Sequence, residues 1–239
     1  LMLHDLNTGT IPTERILTAL DFAEQKRASL SYANRMSEVN WTERGPNTIG
    51  GRTRALLLDP NDSTNKKLWA AGVTGGLWYT NDITVAAPTW NEVDGTWGNL
   101  AVCSISSDPN DSNTIYVGTG ERMGVFSTAS RGLGMWKSTD GGSSWTHLSS
   151  TEGFNYVTDI IVRNESGSSV IYAGVGGHYY EGQWHGSANT GLWRSTDGGS
   201  TWTQVSELTA DNTRYEIMDL DLGSDNRIWA GSRTNVYGD

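Results

Sequence analysis

The stretch Ser138-Thr139-Asp140-Gly141-Gly142-Ser143-Ser144-Trp145 decides the fold, because it returns 57 positions later as Ser195-Thr196-Asp197-Gly198-Gly199-Ser200-Thr201-Trp202. The likeness runs outward on both sides. Gly134-Met135-Trp136-Lys137 precedes the first copy and Gly191-Leu192-Trp193-Arg194 the second, while Thr146-His147-Leu148 and Thr203-Gln204-Val205 follow. Each copy reads as strand, tight turn, strand. The paired glycines supply backbone angles that a side chain would forbid, the Asp carboxylate accepts amide hydrogens of its own turn, and the Trp folds back as a large, mostly buried plug. A repeat of this period means that one small unit is stacked to build the fold.

Other strands carry the repeat further. Leu68-Trp69-Ala70-Ala71, Ile115-Tyr116-Val117-Gly118, Ile171-Tyr172-Ala173-Gly174 and Ile228-Trp229-Ala230-Gly231 are one strand seen four times, at steps of 47, 56 and 57. An apolar strand precedes each: Thr53 to Leu58, Ala101 to Ser106, Thr158 to Val162 and Ile217 to Leu222. Asp59-Pro60-Asn61-Asp62 and Asp108-Pro109-Asn110-Asp111 make matching hairpin turns. Four antiparallel strands per unit make a propeller blade. The expected class is therefore all-β, a β-propeller present as a partial ring. Its units are 41–96, 97–153, 154–210 and an incomplete 211–239, about three and a half blades. The first is degenerate, since Trp78 to Trp90 spans 12 residues where Trp136 to Trp145 and Trp193 to Trp202 span 9. An unfinished ring leaves open edges, so further blades of a longer chain are the expected partner.

The pattern S-x-D-x-G-x-x-W resembles the Asp box of sialidase-type (BNR-repeat) and sortilin-type propellers. That resemblance implies a structural role for Ser138, Asp140, Gly142, Trp145 and for Ser195, Asp197, Gly199, Trp202, at a blade edge away from the ligand face. A second resemblance rests on Trp41-Thr42-Glu43-Arg44-Gly45-Pro46-Asn47-Thr48-Ile49-Gly50-Gly51-Arg52-Thr53-Arg54-Ala55, Gly75-Gly76-Leu77-Trp78 and Gly118-Thr119-Gly120-Glu121. These are similar to the start of large secreted propeller proteins of Bacteroidota, often exported by type IX secretion and frequently labelled glycosyl hydrolases. They imply a secreted or cell-surface location and the type IX machinery as a partner.

Two enzyme templates can be held against the residues. Sialidases of this fold carry a Phe-Arg-Ile-Pro motif, which does not occur here, although Arg52, Arg54, Arg122 and Arg131 could converge. Propeller xyloglucanases resemble the chain at Ala71-Gly72-Val73-Thr74-Gly75-Gly76, but their catalytic Asp position is taken by Val73. Glycosidase chemistry needs a positioned carboxyl pair, so this departure counts against catalysis at that position.

Composition narrows the classes. The 29 Gly, 11 Trp and 9 Tyr among 239 residues suit many short strands and turns. A formal charge of −10, with Lys26-Arg27 and Lys66-Lys67 as the adjacent basic pairs and no longer basic run, argues against nucleic acid. Cys103 stands alone in the apolar run Leu100-Ala101-Val102-Cys103-Ser104-Ile105, so it reads as a small buried hydrophobe. No apolar stretch is long enough for a membrane span. Residues 1–40 lie outside the repeat. Ile16, Leu17, Leu20, Ala23 and Leu30, with Pro12 just ahead, predict one amphipathic helix over Thr13 to Ala33. It is either packed on a blade or part of an export-linked leader.

The binding evidence lies in the connections between second and third strands. The first blade uses 7 residues from Ala71 to Trp78, the second 18 from Gly118 to Trp136, the third 19 from Gly174 to Trp193. Neighbouring long loops on the face opposite the repeated turns suggest a binding surface. Its candidates are Glu121, Arg122 and Arg131 in one loop and His178, Tyr179, Tyr180, Glu181, Trp184 and His185 in the other. Aromatic faces beside hydrogen-bonding groups suit a sugar ring or a peptide segment, while the plain alternative is that Tyr179, Tyr180 and Trp184 only anchor their loop. His178, Glu181 and His185 lack a zincin spacing, with no strand or helix evident to fix them, so no metal is assigned. No catalytic residue and no cofactor is assigned either. The main expectation is a non-catalytic extracellular binding or scaffold module for a glycan or protein. The alternatives are a glycoside hydrolase with catalytic residues partly outside this chain, and a sortilin-like peptide receptor.

Overall fold

The computed structural model describes residues 15–29, 51–93, 99, 101–122, 130–180, 183–185, 188–205 and 214–233. It divides into two compact units, one holding the helix α1 (Arg15–Ser29) and the other holding all the strands. In α1, Lys26 reaches over the Phe22 ring at 5.6 Å, one turn away along the helix.

Among the described residues the strands form three four-stranded antiparallel sheets and two two-stranded ones. The first contains β1 (Thr53–Leu58), β2 (Leu68–Gly72), β3 (Gly76–Thr80) and β4 (Asn91–Glu92), in that order. The second contains β5 (Val102–Asp108), β6 (Asp111–Thr119), β7 (Met135–Ser138) and β8 (Thr146–His147). The third runs from β9 (Val157–Glu165) and β10 (Ser168–Val175) to β13 (Gly191–Ser195) and β14 (Thr203–Gln204). Between its second and third strands a separate hairpin forms from β11 (His178–Tyr180) and β12 (Gln183–His185). The fourth sheet pairs β15 (Glu216–Leu222) with β16 (Ile228–Arg233). The four inner strands β1, β5, β9 and β15 pack side by side in chain order, which is the arrangement of propeller blades around an axis.

Apolar alternation explains the stacking. Tyr116 and Met135 of blade 2 meet Phe154, Val157, Ile160 and Val162 of blade 3 in one buried cluster, with Leu148, Trp193 and Trp202 packed against it. Phe154 lies 5.1 Å from Trp193 and 5.6 Å edge-on from Trp202, so the aromatic side chains at the two ends of the repeated turn share one anchor.

The repeated turns form as their residues dictate. Asp140 accepts from the Ser144 amide at 2.8 Å and from the Ser144 and Ser138 hydroxyls at 2.6 and 2.8 Å. Asp197 does the same with Thr201 and Ser195. These bonds hold both carboxyls at about 2, below their ordinary 3.8, the Ser144 and Thr201 hydroxyls contributing most. Trp145 and Trp202 are half-buried rather than mostly buried, because each folds over its turn and donates its indole N–H to the Gly142 or Gly199 carbonyl. Each turn also leans on the preceding blade. Gly142 lies flat on Trp69 of blade 1, and Gly199 on Leu148 of blade 2.

A second set of interblade bonds runs through the inner hairpin turns. Asn61 donates to the Ser112 carbonyl at 2.9 Å, Asn110 to the Ser169 hydroxyl at 2.8 Å, and Asn226 to the Asn164 carbonyl at 3.1 Å. The Gly141 amide bonds to the Asn113 carbonyl at 2.9 Å, which places inner hairpins and repeated turns at the same end of the blades. The long connections leave from the other end.

Candidate functional site

At that other end every inner strand carries an irregularity. The register slips between Thr53 and Ala55, Val102 and Ser104, Val157 and Asp159, and Ile217 and Asp219, which leaves Arg54, Cys103, Thr158 and Met218 as the unpaired residues. Bulges bend a strand and re-aim its side chains. Here they crowd polar groups onto the loop face: the Thr158 hydroxyl bonds the Ile217 carbonyl of the next blade at 2.6 Å. Asp159 accepts the Leu220 amide at 2.9 Å, and burial, then the nearby Asp219 charge, pushes its carboxyl above the ordinary value. Burial and the charge of Glu121 push the Cys103 thiol to about 12, so Cys103 is neutral and inert, as its apolar strand implies.

The two long connections start from this floor. Gly120 sits at φ +104, its amide bonded to the Ala101 carbonyl, and a side chain there would overlap the Asn155 carbonyl. From it Glu121 and Arg122 turn inward. Arg122 donates through Nε and Nη2 to Glu216 Oε2 at 3.0 and 2.6 Å, and its Nη1 lies 3.3 Å from Nδ1 of His178. Glu121, Arg122, His178 and Glu216 are between 1 and 4% exposed. One guanidinium on blade 2 thus ties an imidazole on blade 3 to a carboxylate on blade 4. Tyr156 stacks edge-on to His178 at 6.0 Å, and the Cys103 thiol lies 3.9 Å from Glu121 Oε2. Arg131 is half-buried and donates to Asn155 Oδ1 at 3.0 Å.

Of the residues named from sequence, Arg122 and His178 meet in the interior, and Glu121 is buried beside Cys103. Arg131 stands apart with Asn155. Tyr179, Tyr180, Trp184 and His185 lie in the β11–β12 hairpin, with Tyr179 opposite Trp184 and His178 opposite His185, while Glu181 lies outside the described residues. The expectation that no strand fixes this segment is corrected: alternating His, Tyr and Trp residues pair across a short turn, as strand formers do. Among the described residues no group of His, Cys, Asp and Glu could hold a metal ion.

Glu216 was missed from sequence, and one signal could have found it. The register places it one step before Ile217, where blades 2 and 3 carry Ala101 and Tyr156 before Val102 and Val157, so a charge replaces a buried apolar residue at one position of the repeat.

A pocket of about 400 Å³ opens on blade 1 between Arg52, Thr74, Gly75, Trp78 and Trp90. Trp78 donates its indole N–H to the Gly75 carbonyl at 2.6 Å, and Trp90 is 37% exposed. Val73, at the position the xyloglucanase resemblance gives to a carboxylate, is buried at 3% exposure and bonded through its amide to the Arg52 carbonyl. The repeat qualifies this pocket. Trp78 occupies the position of Trp136, which is buried to 4% exposure in blade 2, so part of the pocket wall is a ring face that the equivalent position of the next blade buries.

No family model matches the chain. Among curated proteins it is 28% identical over 210 residues to a xyloglucanase of Paenibacillus, a match covering 77% of this chain and 19% of that protein. It is 27% identical over 176 residues to a xyloglucanase of Hypocrea jecorina, covering 69% of this chain and again 19% of the relative. Among solved structures, a GH74 enzyme of Niastella koreensis aligns with a TM-score of 0.49 at 24% identity, over 75% of this chain and 26% of that one. The chain thus spans about a fifth of the length of the curated relatives it matches. It is a partial β-propeller whose similar proteins of known activity are xyloglucanases.

Proposed function

We propose that these blades belong to a glycoside-hydrolase-type propeller acting on a xyloglucan-like polysaccharide, with reacting carboxyl groups supplied outside the Val73 position. The similarity to xyloglucanases from a bacterium and a fungus, over more than two thirds of the chain, carries this reading. The loop face agrees with it in kind, being a floor of buried polar groups from which two long connections start, one of them carrying an aromatic-bearing hairpin. Glu121 and Glu216 are too buried to meet a polysaccharide and act as part of that floor. A polysaccharide target places the working protein outside the cytoplasm, and export by the type IX route is part of the same proposal. Among the described residues no helix is long and apolar enough to cross a membrane.

A second reading is favoured by Val73 itself. An apolar side chain, 3% exposed, cannot serve as acid, base or nucleophile, so the surface could bind glycan without cleaving it. One experiment separates the two. The full-length protein is incubated with xyloglucan, with reducing ends and retention on immobilised polysaccharide both measured. New reducing ends that disappear on substituting a carboxylate support hydrolysis; retention without product supports binding alone; absence of both product and retention rejects a glycan role.

A further inference from the structure

The lysines and arginines of blades 2 and 3 are Arg122, Arg131, Lys137, Arg163 and Arg194. All but Arg131 end on a carboxylate or carbonyl of the protein itself. Arg122 meets Glu216, Arg163 and Arg194 share Glu165, and Lys137 donates to the Gly198 carbonyl. Arg131 is half-buried and donates through Nε to Asn155 Oδ1 at 3.0 Å, while among the described residues neither its Nη1 nor its Nη2 meets an acceptor. A solvated arginine needs no anchor, yet this one is held in main chain and side chain alike. Asn99 Nδ2 donates to its carbonyl at 2.5 Å, and the amide of Gly132 donates to the Asn155 carbonyl at 2.7 Å. Gly132 has no room to shift, since a Cβ there would overlap the Thr119 carbonyl. Asn155, which grips both the chain and the guanidinium, is 8% exposed. The two long connections meet at this place. Arg131 closes that of blade 2, and Asn189 of blade 3 donates through Nδ2 to the Gly153 carbonyl, two residues before Asn155, at 2.9 Å.

We infer that Arg131 is a carboxylate-reading residue of the loop face, receiving a uronic-acid branch on an otherwise neutral polysaccharide. This role presupposes a polysaccharide ligand, as proposed above, and narrows its class. A guanidinium fixed through Nε keeps its Nη1–Nη2 edge for a planar acceptor with two oxygens, and half-burial strengthens such a pair over one in open water. Its fixed position also reduces the entropy lost on binding. The formal charge of −10 sets the opposite limit: a polyuronate would bring many negative charges to an acidic surface, whereas a scattered carboxylate meets one held cation.

The test offers the full-length protein three immobilised forms of one polymer: neutral xyloglucan, xyloglucan sparsely oxidised to carboxylates at its primary alcohols, and xyloglucan sulfated to the same extent. Retention on the oxidised form should exceed that on the neutral form about three- to tenfold. Arg131→Gln should bring that ratio to about one, and Arg131→Lys, which keeps the charge and loses the fork, to an intermediate value. Circular dichroism checks that each variant is folded, and if Arg131→Gln is not, the ratio of Arg131→Lys decides alone. A ratio unchanged by substitution would overturn the assignment, as would equal retention of the sulfated and oxidised forms. Retention of neutral xyloglucan with no preference for the oxidised form rejects the carboxylate role and leaves the polysaccharide reading standing; absence of retention on all three polymers rejects both.

Discussion

Gly141 and Gly142 are adjacent in one turn, yet replacing each with Ala should have different consequences. Both have positive φ, +67 and +85, so an L-residue at either position bears a backbone cost of about 1–2 kcal/mol. The surroundings then divide them. The nearest neighbour of a Cβ at Gly141 would be Asn61 Nδ2 at 3.4 Å, an ordinary contact with a movable amide. At Gly142 the Cβ would lie 2.7 Å from Trp69 Cζ2 and closer still to Cη2, on a ring that is 2% exposed and has little room to retreat. Overpacking of this kind costs about 1–3 kcal/mol. The expected totals are about 1–2 kcal/mol for Gly141→Ala and about 2–5 kcal/mol for Gly142→Ala, each reduced by about 0.4–1 kcal/mol through the stiffer unfolded chain. For a domain of this size, the net cost of Gly142→Ala, about 1–4.6 kcal/mol, should lower Tm by roughly 2–18 °C. Urea unfolding followed by circular dichroism gives both values. Trp69→Phe, which removes the outer ring, completes a double-mutant cycle and should recover about 1–3 kcal/mol of the Gly142→Ala loss. Equal costs at the two glycines, or a coupling energy near zero, would refute the view that this turn is an interblade clasp.

Three further outcomes are expected. Asp140 and Asp197 have folded pKa values of about 2 against an ordinary 3.8, so their contribution is complete above the ordinary value and fades as pH falls through the folded one. Urea midpoints of the Asp140→Asn/Asp197→Asn double variant should accordingly vary less between about pH 5 and about pH 2 than those of the parent, and parallel profiles would count against the turn bonding. Glu216→Gln strands Arg122 in the interior and should destabilise by about 3–5 kcal/mol, while Arg122→Met with Glu216→Leu should cost less than either change alone; strictly additive losses would deny the interblade pair. The Cys103 thiol, at about 12, should ignore a thiol reagent near neutral pH until the protein unfolds, and prompt reaction of the native chain would contradict its burial.

What could be read from sequence is what local chemistry enforces. The Ser138–Trp145 and Ser195–Trp202 turns were legible because glycine pairs, a turn carboxylate and a Trp satisfy one another within a few residues. The strand alignments were legible because each inner strand alternates against its own partner. Arg122 and Glu216 stand 94 positions apart, on blades that are not neighbours in the chain, and no local pattern pairs them. The β11–β12 hairpin was missed because a short aromatic run reads equally as loop anchor or strand, and only pairing separates the two. The half-burial of Trp145 and Trp202 shows the same limit: motif chemistry gives their indole bonds, while coverage depends on the next blade.

The two ends of the blades therefore serve different purposes, and the difference is visible in where the repeat holds and where it breaks. At the turn end, one kind of contact recurs, an Asn amide bonded to the neighbouring hairpin and a turn glycine laid on an apolar side chain of the preceding blade, Trp69 or Leu148, because every interblade joint must have the same angle for a ring to form. A change there acts on stability. At the loop end, equivalent positions diverge: Arg54, Cys103, Thr158 and Met218 occupy one bulge position, and Glu216 stands where blades 2 and 3 carry Ala101 and Tyr156. Divergence at structurally identical places means that packing alone does not dictate those residues. Substitutions at the loop end that leave the Arg122–Glu216 pair intact should change glycan retention with little loss of stability, and substitutions at the turn end should do the reverse. A survey of urea midpoints and polysaccharide retention for the same set of variants would detect any mixing of the two classes, and such mixing would show that the recognition surface is not confined to the loop face.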